Sequence, residues 1–415
     1  MINFERFTLS NGMRLLVHED ETTPMAAVNI LYNVGAKDED ESRTGFAHLF
    51  EHLMFGGSAN APNFDEPLQR AGGTNNAFTN NDITNYYDLL PAVNLETAFW
   101  LESDRLLQLD INERSLDVQR KVVCEEFKEN YLNQPYGDIW HKLSALAYTT
   151  HPYKWPTIGK ELSHVEDATL ENVQSFFNRY YRPDNAIMVV SGGVKAAAIK
   201  DLAEKWFGDI PAGGYGKKEL PKEPVQAEPR TLTVEADVPQ SALYMAWHMG
   251  PRLSDNYYVM DLVSDLLSNG NSSRLYRLLV RDKQLFTELD AYVTGFLDEG
   301  LFIAAGRLKD GVSMETAEAA LSEEIYAMAQ QKVDFEELQK VKNKHEAYSS
   351  FSDTNLLNRT INLAFSELLG DANLVNTELD RYRNITVDEV LEESAKVLRP
   401  ANCSTLYYHA KQEQA

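Results

Sequence analysis

Cysteine is almost absent. Cys124 and Cys403 are the only two in 415 residues, too few for a disulfide framework or a thiolate metal cage. Basic residues are scarce as well: 39 Lys and Arg stand against 63 Asp and Glu, a formal net charge of −24. Such an excess repels phosphate backbones and excludes nucleic-acid binding as the primary role. It serves solubility first and is compatible with cationic substrates. Long apolar runs are also missing. Candidates such as AIMVVSGGV (186–194) have strand length, well short of the ~20 residues of a membrane helix. The opening MINFERFTLSNGM puts Glu5 and Arg6 where a secretion signal would be apolar, so the expectation is a cytoplasmic protein without a membrane partner. What remains is 43% hydrophobic and 25% charged, material for globular cores, over a length that predicts two or more domains.

Repetition organises the chain. TLENVQSFFNRYYRPDN (169–185) and TVDEVLEESAKVLRPAN (386–402) share Thr169/Thr386, Val173/Val390, Arg182/Arg399, Pro183/Pro400 and Asn185/Asn402 at an offset of 217 residues. Each reads as a Thr-capped amphipathic helix stopped by Arg-Pro and followed by a strand. PMAAVNILYNVG (24–35) and PQSALYMAWHMG (239–250) both run from Pro to Gly at an offset of 215. Two matches at nearly one offset predict two similar halves, an N-terminal domain over 1–210 and a homologous C-terminal domain over 230–415. Residues 211–229 between them, rich in Pro, Gly and Lys, read as a linker. Strand-length runs such as MRLLVHE alternate with amphipathic helical patterns over 94–109, 115–134 and 314–332. The expected fold class is α+β, each half a mostly antiparallel sheet packed with helices.

FAHLFEHLMFGG (46–57) carries the chemistry. His48 and His52 stand four apart, one turn apart on one helix face, with Glu51 at the edge of that face. Two imidazoles so placed can share a divalent ion while the carboxylate takes a proton from water on the ion. His-x-x-Glu-His is the inverted-zincin order, the reverse of His-Glu-x-x-His. Alone, the pentapeptide also admits a buried hydrogen-bonded cluster or a surface helix. Its setting favours the metal: Phe46, Leu49, Phe50, Leu53, Met54 and Phe55 make the helix apolar nearly all round, and a buried helix must find partners for its polar groups. A catalytic zinc wants a third protein ligand. In the helical pattern RKVVCEEFKEN (120–130), the adjacent Glu125 and Glu126 point about 100° apart. Glu126 shares a face with Gln119, Val122 and Val123, whereas Glu125 aligns with Lys121 and Lys128. Glu126 is therefore preferred to Glu125 and Glu129.

His48-Leu-Phe-Glu51-His52, followed 74 residues later by Glu126 in VVCEEF, resembles the pitrilysin, insulin-degrading enzyme and mitochondrial-processing-peptidase superfamily of zinc peptidases. GGTNNAFTNNDITNYY (72–87) is similar to that family's Gly-rich, Asn-Ala-x-Thr, Asp-x-Thr-x-Tyr strand, and the duplication matches its tandem homologous domains. The resemblance implies zinc ligands at His48, His52 and Glu126, with Glu51 as general base. It implies a zinc-dependent endopeptidase for short or unfolded peptides, with one zinc per chain. Two homologous domains would form half of a clamshell, and two chains would close a chamber as a dimer. Many relatives carry a second Glu seven residues before the ligand Glu; here that position is Gln119, which brings no charge to support a ligand from the second shell. Asn76, Ala77, Phe78 and Thr79 read on their own as an ordinary edge strand. The resemblance implies that a substrate peptide adds to that edge by main-chain hydrogen bonds.

The second half lacks the metal residues. With Gly56 aligned to Gly270, His48 falls on Leu262, Glu51 on Asp265 and His52 on Leu266. The resembled family also has non-catalytic members that serve as scaffolds or partners, the alternative reading, against which the intact His48, Glu51, His52 and Glu126 set argues. Members that act alone or as identical pairs carry a C-terminal Arg and Tyr, seven apart, that reach the substrate. The matching stretch here is GLFIAAGRLKDG (300–311). Its positions Phe302 and Lys309, or Leu301 and Leu308 one residue earlier, supply no such pair. The expectation is a chain with weak activity alone, completed by a homologous subunit that brings the Arg/Tyr pair.

Overall fold

Apolar runs of strand length pair into two sheets. In the first, β1 (Glu5–Thr8), β2 (Arg14–Glu19), β3 (Met25–Tyr32), β4 (Thr74–Thr79), β5 (Thr84–Pro91) and β6 (Ala186–Gly192) lie in the order β1-β2-β6-β3-β5-β4. In the second, β7 (Arg230–Ala236), β8 (Ala242–Met249), β9 (Phe286–Val293), β10 (Gly300–Leu308) and β11 (Cys403–Ala410) lie in the order β7-β11-β8-β10-β9. β2–β6 and β7–β11 are parallel, and the other neighbours are antiparallel. With their helices the two sheets make the mixed, mostly antiparallel α+β architecture read from the sequence. The computed structural model describes residues 1–214 and 219–411. Residues 215–218 of the expected linker and 412–415 of the expected C-terminal domain lie outside the described residues.

The internal repeat is visible in the strand registers. Tyr32 pairs with Ala186 in one sheet and Trp247 with Cys403 in the other, which reproduces both offsets, 215 and 217. Thr169 and Thr386 each cap their helix, accepting from the N–H of Asn172 and of Glu389. The repeated Asn has one job in both copies. Asn185 Nδ2 donates to Tyr180 O and Asn33 O, and Asn402 Nδ2 to Val397 O and His248 O, sealing the helix end to the neighbouring strand.

Packing regroups the chain into two units that do not follow the expected boundaries. One comprises Met1–Glu129, Trp155–Leu220 and Ser349–Thr377; the other comprises Asn130–Lys154, Pro221–Tyr348 and Glu378–Ala415. The regrouping turns on two helices at the repeat offset of 217, Ile139–Ala147 and Leu356–Leu368, each of which serves the sheet built by the other half of the chain. Leu363 and Ala364 of the second helix are fully buried with Leu16, Leu31, Ile187 and Val189 of the first sheet. Arg359 pairs with Asp20, and buried Glu367 with Arg6 at 2.6 Å. Ile139, Leu143 and Ala147 of the first helix pack with Ala242, Ala246, Ile303 and Leu406 of the second sheet. β6 is buried along its whole length, as a strand covered on both faces must be. The later part of the expected linker is anchored: buried Glu223 accepts from the N–H groups of Thr149, Thr150 and His151, and Gln226 Nε2 donates to Cys403 O.

Candidate metal centre

The pentapeptide lies on a short helix, Phe46–Leu53, whose apolar side fixes its orientation. Leu49 and Phe50 are fully buried, and Phe50 stacks on Phe176 and Tyr181 at 5.1 Å each. Tyr86 of β5 donates from its hydroxyl to Phe50 O at 3.3 Å. His48, Glu51 and His52 are left half-buried on the opposite side. The third candidate ligand, Glu126, comes from the helix Glu113–Phe127, packed against the first. Asn112 caps it, accepting from the N–H of Arg114 and Ser115 while the Ser115 hydroxyl accepts from the N–H of Asn112. Leu116, Val123, Cys124 and Phe127 bury its inner face.

Glu126 faces the two histidines. Its Oε2 lies 3.4 Å from His52 Nε2 and 3.7 Å from His48 Nε2, and one atom from each residue falls within 4.8 Å of the others. Ligands at ~2.1 Å around a tetrahedral zinc stand ~3.4 Å from one another. The donor set of two imidazoles and one carboxylate therefore fits zinc in chemistry and in spacing. It is the one such group among the described residues. Burial pushes His48 down, towards the neutral imidazole that ligates, although the Glu126 charge opposes it. Glu126 is held below the usual carboxylate range, first by its hydrogen bond with His52.

Other expected residues take varied places. Glu125 and Glu129 are exposed, and Glu125 pairs with Lys128 at 2.8 Å. Gln119 is half-buried, but His48 Nδ1 has no hydrogen-bond partner, so Gln119 does not support that ring. Asn76, Ala77, Phe78 and Thr79 lie on β4, the edge strand of the first sheet. There Ala77 N–H is taken by its neighbour's side-chain oxygen, Asn76 Oδ1, at 2.8 Å. Leu262 and Leu266, at the positions of the two histidines in the repeat, are buried in the second unit's core. Phe302, Leu301 and Leu308 are buried too, and Arg274 pairs with Glu337 at 2.7 Å.

Sequence reasoning missed Glu39. Its buried carboxyl group accepts from Gly45 N–H at 2.9 Å and Ala47 N–H at 2.8 Å, at the start of the metal helix. The one available signal was a glycine where a capping side chain is usual.

Comparisons with known proteins place the chain in a family. Residues 14–161 match the family described as Insulinase (Peptidase family M16), and residues 167–344 match the Peptidase M16 inactive domain. The zinc protease PqqE of Helicobacter pylori is 31% identical over 336 residues, covering 78% of this chain and 73% of that protein. The uncharacterized zinc protease YmxG of Bacillus subtilis is 26% identical over 304 residues, covering 73% of each. The crystal structure of a protease from Helicobacter pylori superposes with a TM-score of 0.92 at 25% identity, over 98% of this chain and 100% of that one. A peptidase M16 inactive domain from Pseudomonas fluorescens, 16% identical, shares the fold with a TM-score of 0.88 over 100% of this chain and 99% of its own. No helix among the described residues is long and apolar enough to cross a membrane. With two helices converging two histidines and a glutamate inside the matched segment, the chain belongs to the insulinase family of peptidases, M16.

Proposed function

We propose that this chain is a zinc-dependent endopeptidase holding one zinc ion at His48, His52 and Glu126. The observation that carries the reading is the convergence of those three ligand atoms within 4.8 Å, from two helices, beside Glu51. A bound zinc ion would supply Lewis acidity, activating water and polarising the scissile carbonyl. Glu51, between the two ligand histidines in sequence, accepts the proton of the attacking water and delivers it to the leaving amine. Its charge reaches its surroundings: burial chiefly pushes the Tyr181 hydroxyl up, and the Glu51 carboxylate adds to that. Edge strand β4 offers Asn76, Ala77, Phe78 and Thr79 to an extended peptide, which would displace Asn76 Oδ1 from Ala77 N–H. Main-chain recognition of that kind suits short or unfolded peptides of varied sequence.

The expected Arg/Tyr pair is missing from 300–311, and a second, homologous chain would supply it in a dimer. A non-catalytic subunit is the rival reading, favoured by the match of residues 167–344 to an inactive domain. A peptide-library digest read by mass spectrometry, with and without chelator, separates the two. New amino termini that vanish with chelator and in E51Q, while E51Q keeps its zinc, support the peptidase. Cleavage by E51Q at the wild-type rate would overturn the role of Glu51. Zinc absent at any stoichiometry would favour the scaffold.

A further inference from the structure

Gly45, at the N-cap position of the metal helix, has φ +88° and no side chain to cap with. A Cβ there would meet Ile158 O and Val165 Cγ2 at 2.8 Å, so the position excludes the usual capping residues. The helix is capped from a distance instead. Glu39 Oε2 accepts from Gly45 N–H and Oε1 from Ala47 N–H, and the Trp155 ring N–H supports the same carboxyl group while donating to Ala36 O at 3.0 Å. The segment carrying Glu39 is itself pinned to the β4–β5 turn. Ala36 N–H donates to Asn80 O and Lys37 N–H to Asn81 O, and Lys37 Nζ lies 2.6 Å from Asp82. Gly35 lets the two segments approach: a Cβ there would stand 2.5 Å from the Asn81 carbonyl carbon.

We infer that Glu39 is a positioning residue, a carboxyl bracket that sets the first turn of the metal helix and ties it to the turn that ends the edge strand. The inference rests on the zinc-peptidase reading of that helix. His48 follows Ala47 directly, so a slip of the first turn moves a ligand by the same amount. Both carboxyl oxygens act as acceptors whether the group is ionised or protonated. A Gln side chain has one acceptor oxygen, so it leaves Gly45 or Ala47 facing an amide N–H.

The test compares full-length wild type, E39Q and E39D. Zinc affinity is read by competition with a chromophoric chelator, and hydrogen exchange over residues 42–54 is read in metal-free protein at pH 4.5, where loss of the bracket is the only difference between the variants. E39Q should weaken zinc binding about 10–100-fold, the range for residues that orient ligands. It should lower kcat with KM little changed, and speed exchange at the helix start. E39D, which keeps both acceptors, should recover part of each loss. A space-filling role predicts the reverse order, with isosteric Gln behaving as wild type and Asp impaired, and that result would overturn the inference. If wild type takes up no zinc, the peptidase reading fails, and exchange alone decides: unchanged rates in E39Q overturn the bracket, faster rates uphold it. Should E39Q not fold, W155F removes the ring N–H shared by Glu39 and Ala36 O, together with part of a buried ring, and should weaken zinc at least about 5-fold, the size of one hydrogen bond. An unchanged affinity in W155F overturns the inference as well.

Discussion

Glu39 also makes a prediction about stability that needs no metal. Burial pushes its carboxyl group up to about 8, against the pull of its hydrogen bonds to Ala47, Gly45 and Trp155. An unperturbed Glu lies near 4.5. With the folded value raised, the native state holds the proton more tightly than the unfolded state. The contribution is fully present below pH 4.5 and is lost as pH rises through 8. The shift of about 3.5 units corresponds to about 5 kcal/mol at about 1.4 kcal/mol per unit. E39Q cannot titrate, but it orphans one buried N–H at a cost of about 1–3 kcal/mol. At pH 4.5 wild type should therefore be the more stable. The loss along the titration reaches 1–3 kcal/mol between about pH 5 and 7, so the two curves should cross there and the variant should lead at pH 8. Urea unfolding of the whole chain would mix two units. The assay is therefore hydrogen exchange of the metal-helix amides in metal-free protein, variant against wild type at each pH. Parallel curves from pH 5 to 8 would refute the reasoning. A crossing, with zinc still weaker in E39Q, would show the native residue trading neutral-pH stability for ligand placement.

Two further outcomes follow from the same unit. E126Q should weaken zinc by about 100-fold, since ~10–16 kcal/mol spread over four ligands leaves about 3 for each; E125Q, whose residue is exposed beside Lys128, should match wild type in the same chelator competition. Asp88 is fully buried beside Glu102 and Arg105. Burial first, then the nearby Glu102 charge, raises it well above the usual range, so D88N should gain on wild type by about 1.4 kcal/mol per pH unit above pH 5 until the native group ionises. Exchange of the β5 amides measures this, and a constant difference across pH would contradict it.

Much of this was legible in the sequence because the repeat and the motif are local. A helix cap and an Arg-Pro stop occupy 17 consecutive residues, a strand follows at once, and both copies fold alike. Helical phase picked out the glutamate that faces the two histidines, although Val122, counted as apolar face, is 45% exposed while Val123 is fully buried. Phase resolves a face to within one residue and no better. The helix expected over 115–134 keeps regular α geometry only through Phe127 and continues as a π turn over Lys128–Leu132, which the amphipathic pattern does not distinguish. The exchange of helices escaped notice because each helix looks equally apolar whichever sheet it covers. Glu39 escaped because capping rules address the residue next to the helix, and this cap reaches across six residues of loop.

Burial explains why the second copy of the duplicated scaffold has no counterpart of the two histidines. The second unit's helix Asp255–Ser268 is 14 residues long, where the metal helix has 8. Leu262 and Leu266 are 0% and 1% exposed, packed among Trp247, Phe302 and Leu321. At the equivalent places in the first unit His48 and His52 keep part of their surface, which an ion and a substrate need. Restoring the histidines in the second unit should therefore unfold it. Each Leu removed forfeits about 2–5 kcal/mol, and each imidazole buried without a partner adds about 1–3. The sum of about 6–16 kcal/mol is as large as the whole stability of a typical domain. L262H/L266H should be insoluble or lose the protection of its β8 and β10 amides, with zinc no higher than one per chain. A soluble, folded double variant carrying two zinc ions would show that the second site was lost for want of ligands alone, and that the packing around it permitted a metal.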